Sequence, residues 1–304
     1  MKLVFMGAPE YAAIILDDLC DRGANIALVV TSEDKPVGRD KRLTAPPVKV
    51  AALKRALAIA QPRKLDDIAG DLAALKPDLI VVAAYGQMIG DRVLAIAPCL
   101  NLHASLLPKY RGASPIQAAL LNGDRLTGLT LMAIGKKLDS GATLGFAPIE
   151  TAPHNLKTLT VALAKLGAKL ILSAMAKYDS LNPIAQQNCG ANMVKKIKKE
   201  DGLIDFNRSA AAIERAFRAY YGWPNIYLKD GLQLLELTIS EPKTAPSRHK
   251  IGEIIAVDRS SGAVTIACET GAITIAKVKP SGKNAMSAVD YINGRRLGVG
   301  DTLS

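Results

Sequence analysis

The sequence predicts an α/β chain of two domains: a Rossmann-like, doubly wound parallel sheet over residues 1–188 and a small OB-like β-barrel over 206–304, joined by a linker at 189–205. In the first half, short apolar runs alternate with stretches of helical periodicity, the pattern of strands and helices in turn. Around Asn182 this alternation gives way to a polar, charged stretch, LNPIAQQNCGANMVKKIKKEDG, with the look of an interdomain segment. Beyond it, one helix is followed by short β-rich runs separated by turn residues. A length of 304 residues gives each domain enough chain to bury its own core.

In chain order, the runs at 3–6, 26–30, 79–83 and 100–103 read as buried parallel strands. Residues 11–19, 48–58, 67–75 and 88–95 carry the intervening helical periodicity. Two further β-rich runs at 128–134 and 143–149 precede a long helix at 158–178. The second domain opens with a helix at 209–220 and continues with strands at 232–239, 252–257, 264–267 and 273–278. Ser287 and Asp290 then have the spacing of a capping box for a closing helix.

Composition narrows the function classes. Hydrophobic residues make up 49% and charged residues 22%, the balance of a globular protein. The net charge of +11 favours a polyanionic partner, and it divides as +6 over residues 1–188 and +5 over the shorter remainder. Cys20, Cys99, Cys189 and Cys268 lie far apart with no CxxC pair, which argues against a structural metal and a disulfide framework. The opening MKLVFMGAPEY lacks the apolar core of a secretory signal, and no uninterrupted apolar run approaches the ~20 residues that span a bilayer. A cytoplasmic location is expected.

Gly7-Ala-Pro9, after the first strand, is no GxGxxG fingerprint, so a dinucleotide site is unsupported. The informative segment is NLHASLLPKYRGASPIQAALLNGD, residues 101–124. Asn101 and His103 are two apart at the end of an apolar strand and therefore share one face, where the strand ends of an open α/β sheet line a crevice. A satisfied polar strand end and a catalytic pair are about equally good readings of these two residues alone. Asp139 lies in a tight turn, Gly135-Lys-Lys-Leu-Asp-Ser-Gly141. An Asp there is ordinarily a turn former, but beside a His it can orient the imidazole and stabilise its positive charge.

Asn101-x-His103, Ser105-Leu-Leu-Pro108-x-Tyr-Arg-Gly112, Gly123-Asp124-x-x-Thr-Gly128-Leu-Thr130 and Leu138-Asp139-Ser-Gly141 together resemble the signature of the 10-formyltetrahydrofolate-dependent formyltransferases. Residues 31–49, TSEDKPVGRDKRLTAPPVK, are similar to a basic loop found in the branch that formylates methionyl-tRNA. Glu200-Asp-Gly-Leu-Ile-Asp205, Trp223-Pro224 and Gly294-Arg-Arg-Leu resemble that branch's C-terminal domain, so the likeness covers nearly the whole chain.

The resemblance implies a one-carbon transferase of translation initiation, with 10-formyltetrahydrofolate as donor, initiator methionyl-tRNA as acceptor and no metal. It implies catalytic roles for Asn101, His103 and Asp139. It places folate along Ser105, Leu106, Leu107 and Pro108 and along the backbone of Gln87, Met88 and Ile89. It assigns tRNA contacts to Arg39, Lys41 and Arg42, with Arg39 reaching the 3′ end. Lys195, Lys196, Lys198 and Lys199 are either a solvated charge run or a second phosphate contact. A monomer without membrane or obligate protein partner is expected. The sequence departs from the family pattern at Lys136, Lys137, Ala142 and Gly222, and the two lysines favour an ionised Asp139. A nucleotide-sugar formyltransferase should lack the basic loop, and a binding protein without catalysis has no need of the Asn-His-Asp set. A formyl-folate hydrolase would carry a regulatory domain ahead of the catalytic one, which this chain is expected to lack.

Overall fold

The computed structural model describes residues 1–304 except Arg39, Lys136, 241–248 and Ser304. The first elements are β1 (Lys2–Gly7), α1 (Glu10–Asp21), β2 (Asn25–Val30), the short strands β3 (Lys35–Val37) and β4 (Arg42–Thr44), and α2 (Pro47–Lys54). They are followed by β5 (Ile59–Ala60), α3 (Ala69–Leu75), β6 (Leu79–Ala83), α4 (Asp91–Leu94), β7 (Cys99–His103), β8 (Arg111–Gly112) and α5 (Pro115–Asn122). Next come β9 (Leu126–Ala133), β10 (Thr143–Glu150), the long helix α6 (Leu156–Ala176) and β11 (Met193–Val194). The remainder contains α7 (Ala210–Ala219), β12 (Ile226–Tyr227), β13 (Gln233–Ser240), β14 (Ile254–Asp258), β15 (Ala263–Ala267), β16 (Ala272–Lys279), β17 (Met286–Ser287) and α8 (Ala288–Gly294).

Backbone contacts divide the chain into two compact units, one of Met1–Pro115, Leu126–Glu150 and Thr158–Lys195, the other of Ile116–Arg125, Thr151–Lys157 and Lys196–Ser304. The first unit holds a seven-stranded sheet in the order β10-β9-β7-β6-β1-β2-β5. Strands β1, β2, β5, β6 and β7 run parallel, as continuous apolar runs between helices require, and Leu3, Val4, Phe5, Ile80 and Val81 are fully buried. The runs at 128–134 and 143–149 are instead antiparallel additions at one edge, since the nine-residue turn between them is too short for a crossover. The helix expected at 88–95 shrinks to α4, because Gly86 at φ 84° and the irregular chain to Gly90 delay it.

Helix α6 is long and apolar enough to cross a bilayer by length and composition. Its apolar stripe is nonetheless used within the fold, since Leu159, Leu163, Ala168 and Ile171 are fully buried. A Cβ at Gly167 would already touch Leu129, Ile15 and Leu102, so the glycine lets the helix lie close on the sheet.

In the second unit, Ile116–Arg125 and Thr151–Lys157 join the C-terminal residues through guanidinium bonds. Arg215 Nε donates to the Leu121 carbonyl at 3.1 Å, and Arg218 Nη1 donates to the His154 carbonyl at 3.1 Å. The strands form an antiparallel sheet in the order β12-β13-β16-β15-β14, with β17 added beside β16. Ser209 and Ser287 cap their helices through Oγ, accepting from the amides of Ala212 and Asp290. The stretch after Asn182 is no bare tether: Ile184 bridges Thr143 in both directions at 2.8 Å, and β11 pairs in parallel with β8.

Leu102 sits on β7 beneath α6 with 2% exposure. Leu102→Ala is expected to destabilise the chain by about 2–5 kcal/mol, through lost transfer energy and a residual cavity. A urea midpoint that hardly moves would contradict this packing.

Candidate active site

The site begins with strand register. Val82 of β6 lies beside Asn101 of β7, and Gly7 of β1 beside Ala83, so the loops after β1, β6 and β7 leave the sheet along one edge. Asn101 and His103 point to the same face at that edge. Asn101 is half-buried and its amide has no hydrogen-bond partner among the described residues, which leaves two donors for an incoming group.

His103 is buried and held at both ring nitrogens. Its Nε2 lies 2.8 Å from the Tyr110 carbonyl oxygen, which can only accept, so Nε2 carries a proton. Its Nδ1 lies 3.7 Å from Asp139 Oδ2. That gap exceeds hydrogen-bond range, so a proton passes between the two groups only through an intervening water or substrate atom. Asp139 Oδ2 meanwhile accepts the Gly112 amide at 2.8 Å. Tyr110 and Gly112 thus fix the imidazole and the carboxylate from one short loop.

Asp139 reaches His103 by folding back. Strand β9 runs antiparallel to β7 and leaves the sheet beside Leu100, so the following turn must return over the face that carries Asn101 and His103. Gly141 permits the return: a Cβ there would lie 1.8 Å from the Ala133 carbonyl oxygen. Asp139 itself sits at φ 48°, a left-handed conformation that Asp tolerates better than most residues.

Two residues that sequence reasoning missed complete this wall, both within the polar stretch after Asn182. Gln186 Nε2 donates to the carbonyls of Asp139 (3.0 Å) and Gly141 (2.8 Å), while its Oε1 accepts from Arg111 Nε (3.1 Å) and Nη2 (2.8 Å). Asn192 Oδ1 accepts the Tyr110 amide at 2.5 Å, and its carbonyl accepts the Arg111 amide at 3.0 Å. No local motif marks either residue; their partners are 45 to 82 positions away.

The segment Ser105-Leu106-Leu107-Pro108 follows β7 directly. Thr130, fully buried on β9, clamps it: Thr130 Oγ1 donates to the Ser105 carbonyl at 2.7 Å and accepts the Leu107 amide at 3.0 Å. Gln87, Met88 and Ile89 lie in the loop after β6. The Gln87 side chain is turned inward, accepting the Leu65 amide and donating to the Pro62 carbonyl, while Met88 is exposed. Burial pushes the Tyr85 phenol and the Cys99 thiol both up to about 12, so neither ionises near neutrality, and Cys99 is no nucleophile.

Strands β3 and β4 pair antiparallel as an exposed hairpin, with Gly38 at φ 78° and Lys41 at φ 48° between them. Lys41 and Arg42 are exposed on it; Arg39 lies outside the described residues, as does Lys136 near Asp139. An ion pair of Lys49 with Asp34 at 2.9 Å ties down the hairpin's base. Lys195, Lys196, Lys198 and Lys199 follow β11, and Lys198 pairs with Glu200 at 3.6 Å. Among the described residues, no cluster of three His, Cys, Asp or Glu side chains is placed to hold a metal ion.

Residues 1–175 match the family described as formyl transferase, and residues 196–296 match the formyl transferase C-terminal domain. A methionyl-tRNA formyltransferase of Campylobacter fetus subsp. fetus is 45% identical over 305 residues, covering 98% of both chains. The fold is similar to that of an N-formyltransferase from Helicobacter canadensis in complex with folinic acid and dTDP-3-aminofucose, at TM-score 0.67 and 16% identity over 92% of this chain and 100% of that one. It is also similar to HypX from Aquifex aeolicus with tetrahydrofolic acid, at TM-score 0.66 and 17% identity over 98% of this chain, which spans 48% of that longer protein.

Gly141→Ala is expected to push the turn off Ala133 and carry Asp139 away from His103. Turnover should fall by roughly 10²-fold, the penalty of an ångström-scale misplacement, with the overall fold retained. Unchanged turnover in a folded variant would show that the 3.7 Å spacing of the pair is immaterial.

Proposed function

The chain belongs to the formyl transferase family, and on that premise we propose that it carries the formyl group of 10-formyltetrahydrofolate to the free α-amino group of initiator methionyl-tRNA. The observation that carries the reading is the His103–Asp139 pair, fixed at 3.7 Å beside the Asn101 amide, which is unengaged among the described residues. An amine attacking a formyl carbon builds a tetrahedral centre with negative charge on oxygen, and that charge needs positioned donors. The Asn101 amide is one, and His103 lies beside it with Nδ1 facing Asp139. The amine must lose a proton and the folate nitrogen must gain one as the carbon–nitrogen bond to folate breaks. Asp139, acting through bound water in the gap, moves that proton.

Ser105, Leu106, Leu107 and Pro108 offer a partly buried, mostly apolar wall for the flat donor. The backbone of Gln87, Met88 and Ile89 offers hydrogen-bonding edges to its heterocycle. The hairpin supplies Lys41 and Arg42 to the acceptor stem, and Arg39 completes the tRNA contact. Transfer is assigned to residues 1–188, with 189–205 as the connecting segment, and backbone binding to 206–304. The protein works as a monomer in the cytoplasm, where translation proceeds. Full-length similarity to a methionyl-tRNA formyltransferase supports the tRNA acceptor over a nucleotide sugar, and so does the basic hairpin. Formyl transfer to charged initiator tRNA, with a nucleotide amino-sugar as competing acceptor, tests the choice directly.

Asn101→Ala, His103→Ala and Asp139→Ala should each lower turnover by ~10²–10⁴-fold while leaving the protein folded. Near-normal turnover in folded His103→Ala would sink the mechanism. Lys41→Ala and Arg42→Ala should weaken tRNA binding without changing folate affinity. Each lost phosphate contact should flatten the slope of log K against log salt by roughly one unit. A double variant with the parent's slope would reduce the hairpin to a solvated turn.

A further inference from the structure

We propose that Gln186 is a positioning residue for Asp139, holding the catalytic turn in place through a four-bond carboxamide clamp; the inference deepens the formyl-transfer reading and rests on it. Asp139 occupies a left-handed conformation, φ 48°, within a turn in which Ser140 donates to the Lys137 carbonyl twice, through its amide at a long 3.4 Å and through Oγ at 3.0 Å. A left-handed non-glycine residue persists where its surroundings over-determine it. Gln186 provides that constraint from outside the turn. Its amide group donates one hydrogen bond to the Asp139 carbonyl and one to the Gly141 carbonyl, so it spans the residue before and the residue after Ser140.

The orientation of the carboxamide is fixed by chemistry. Reversing it would set two donors against the Arg111 guanidinium and leave an acceptor facing two carbonyl oxygens. The clamp therefore couples two parts of the site. Arg111 lies between Tyr110, which holds His103 Nε2, and Gly112, which holds Asp139 Oδ2. Gln186 ties this loop to the turn opposite it. The segment is itself anchored, since Ile184 exchanges two backbone bonds of 2.8 Å with Thr143. Every polar atom of the Gln186 side chain is thereby used, and each bond bears on the groups that set the distance from Asp139 to His103.

The test uses the full-length chain, 10-formyltetrahydrofolate and initiator methionyl-tRNA, with Gln186→Ala, Gln186→Glu, Asp139→Asn and the double variant Asp139→Asn/Gln186→Ala. Gln186→Ala should lower kcat by roughly 10–100-fold with KM for either substrate within about threefold, as expected for lost placement of a reacting group. Gln186→Glu still accepts from Arg111 but cannot donate to the two carbonyls, so it should fall at least as far. If Gln186 acts through Asp139, the double variant should be within about threefold of Asp139→Asn alone. A general structural role would instead multiply the two losses, and that result would overturn the proposal. Normal kcat in Gln186→Glu would overturn it equally, and this variant carries the comparison should Gln186→Ala not fold. A parent chain without formyl transfer would defeat the underlying reading, whereas an active parent with multiplicative losses defeats only the role of Gln186.

Discussion

Two backbone groups on one short loop, the Tyr110 carbonyl and the Gly112 amide, hold His103 and Asp139, the pair on which the proposed site depends. The carbonyl fixes the proton on His103 Nε2 and so leaves Nδ1 to face Asp139 Oδ2, which the amide holds. Backbone groups suit this work because they have no rotamers to lose, but they are only as well placed as the loop. That loop is in turn held by the segment 186–194: Asn192 takes the amides of Tyr110 and Arg111, Val194 takes that of Ala113, and Gln186 takes the Arg111 side chain. Gly112 allows the approach, since at φ 109° it brings the chain so close that a Cβ would meet the Val194 carbonyl oxygen at 2.4 Å.

The same economy governs the neighbouring segment 105–108. Thr130 spends a single buried hydroxyl on two backbone groups, one of Ser105 and one of Leu107. Strand β9 therefore serves the site twice, through Thr130 within the strand and through Asp139 in the turn that follows it. A helical crossover there would leave no tight turn to fold back over the sheet.

Titration is narrowed by burial. The Cys99 thiol on β7 and the Tyr85 phenol at the end of β6 are both pushed up to about 12, so neither ionises near neutrality. Exposed positive charge lies on the hairpin of β3 and β4, at Lys41 and Arg42.

By itself the sequence determined the alternation of strands and helices, the change of class after Asn182, and the candidate trio Asn101, His103 and Asp139. Period and turn chemistry are local properties, so runs such as 79–83 could be read directly, and Asn101 and His103 share a face because strand geometry has a period of two. Only the tertiary structure decided the rest. It set β9 and β10 antiparallel, returned Asp139 to His103, left Nδ1 of the imidazole facing that carboxylate, and turned Gln186 and Asn192 from residues of a polar stretch into supports of the candidate site. None of these outcomes has a local signature. Each depends on a hydrogen bond or close approach between residues distant in sequence, and such pairings exist only once the sheet has fixed which loops meet.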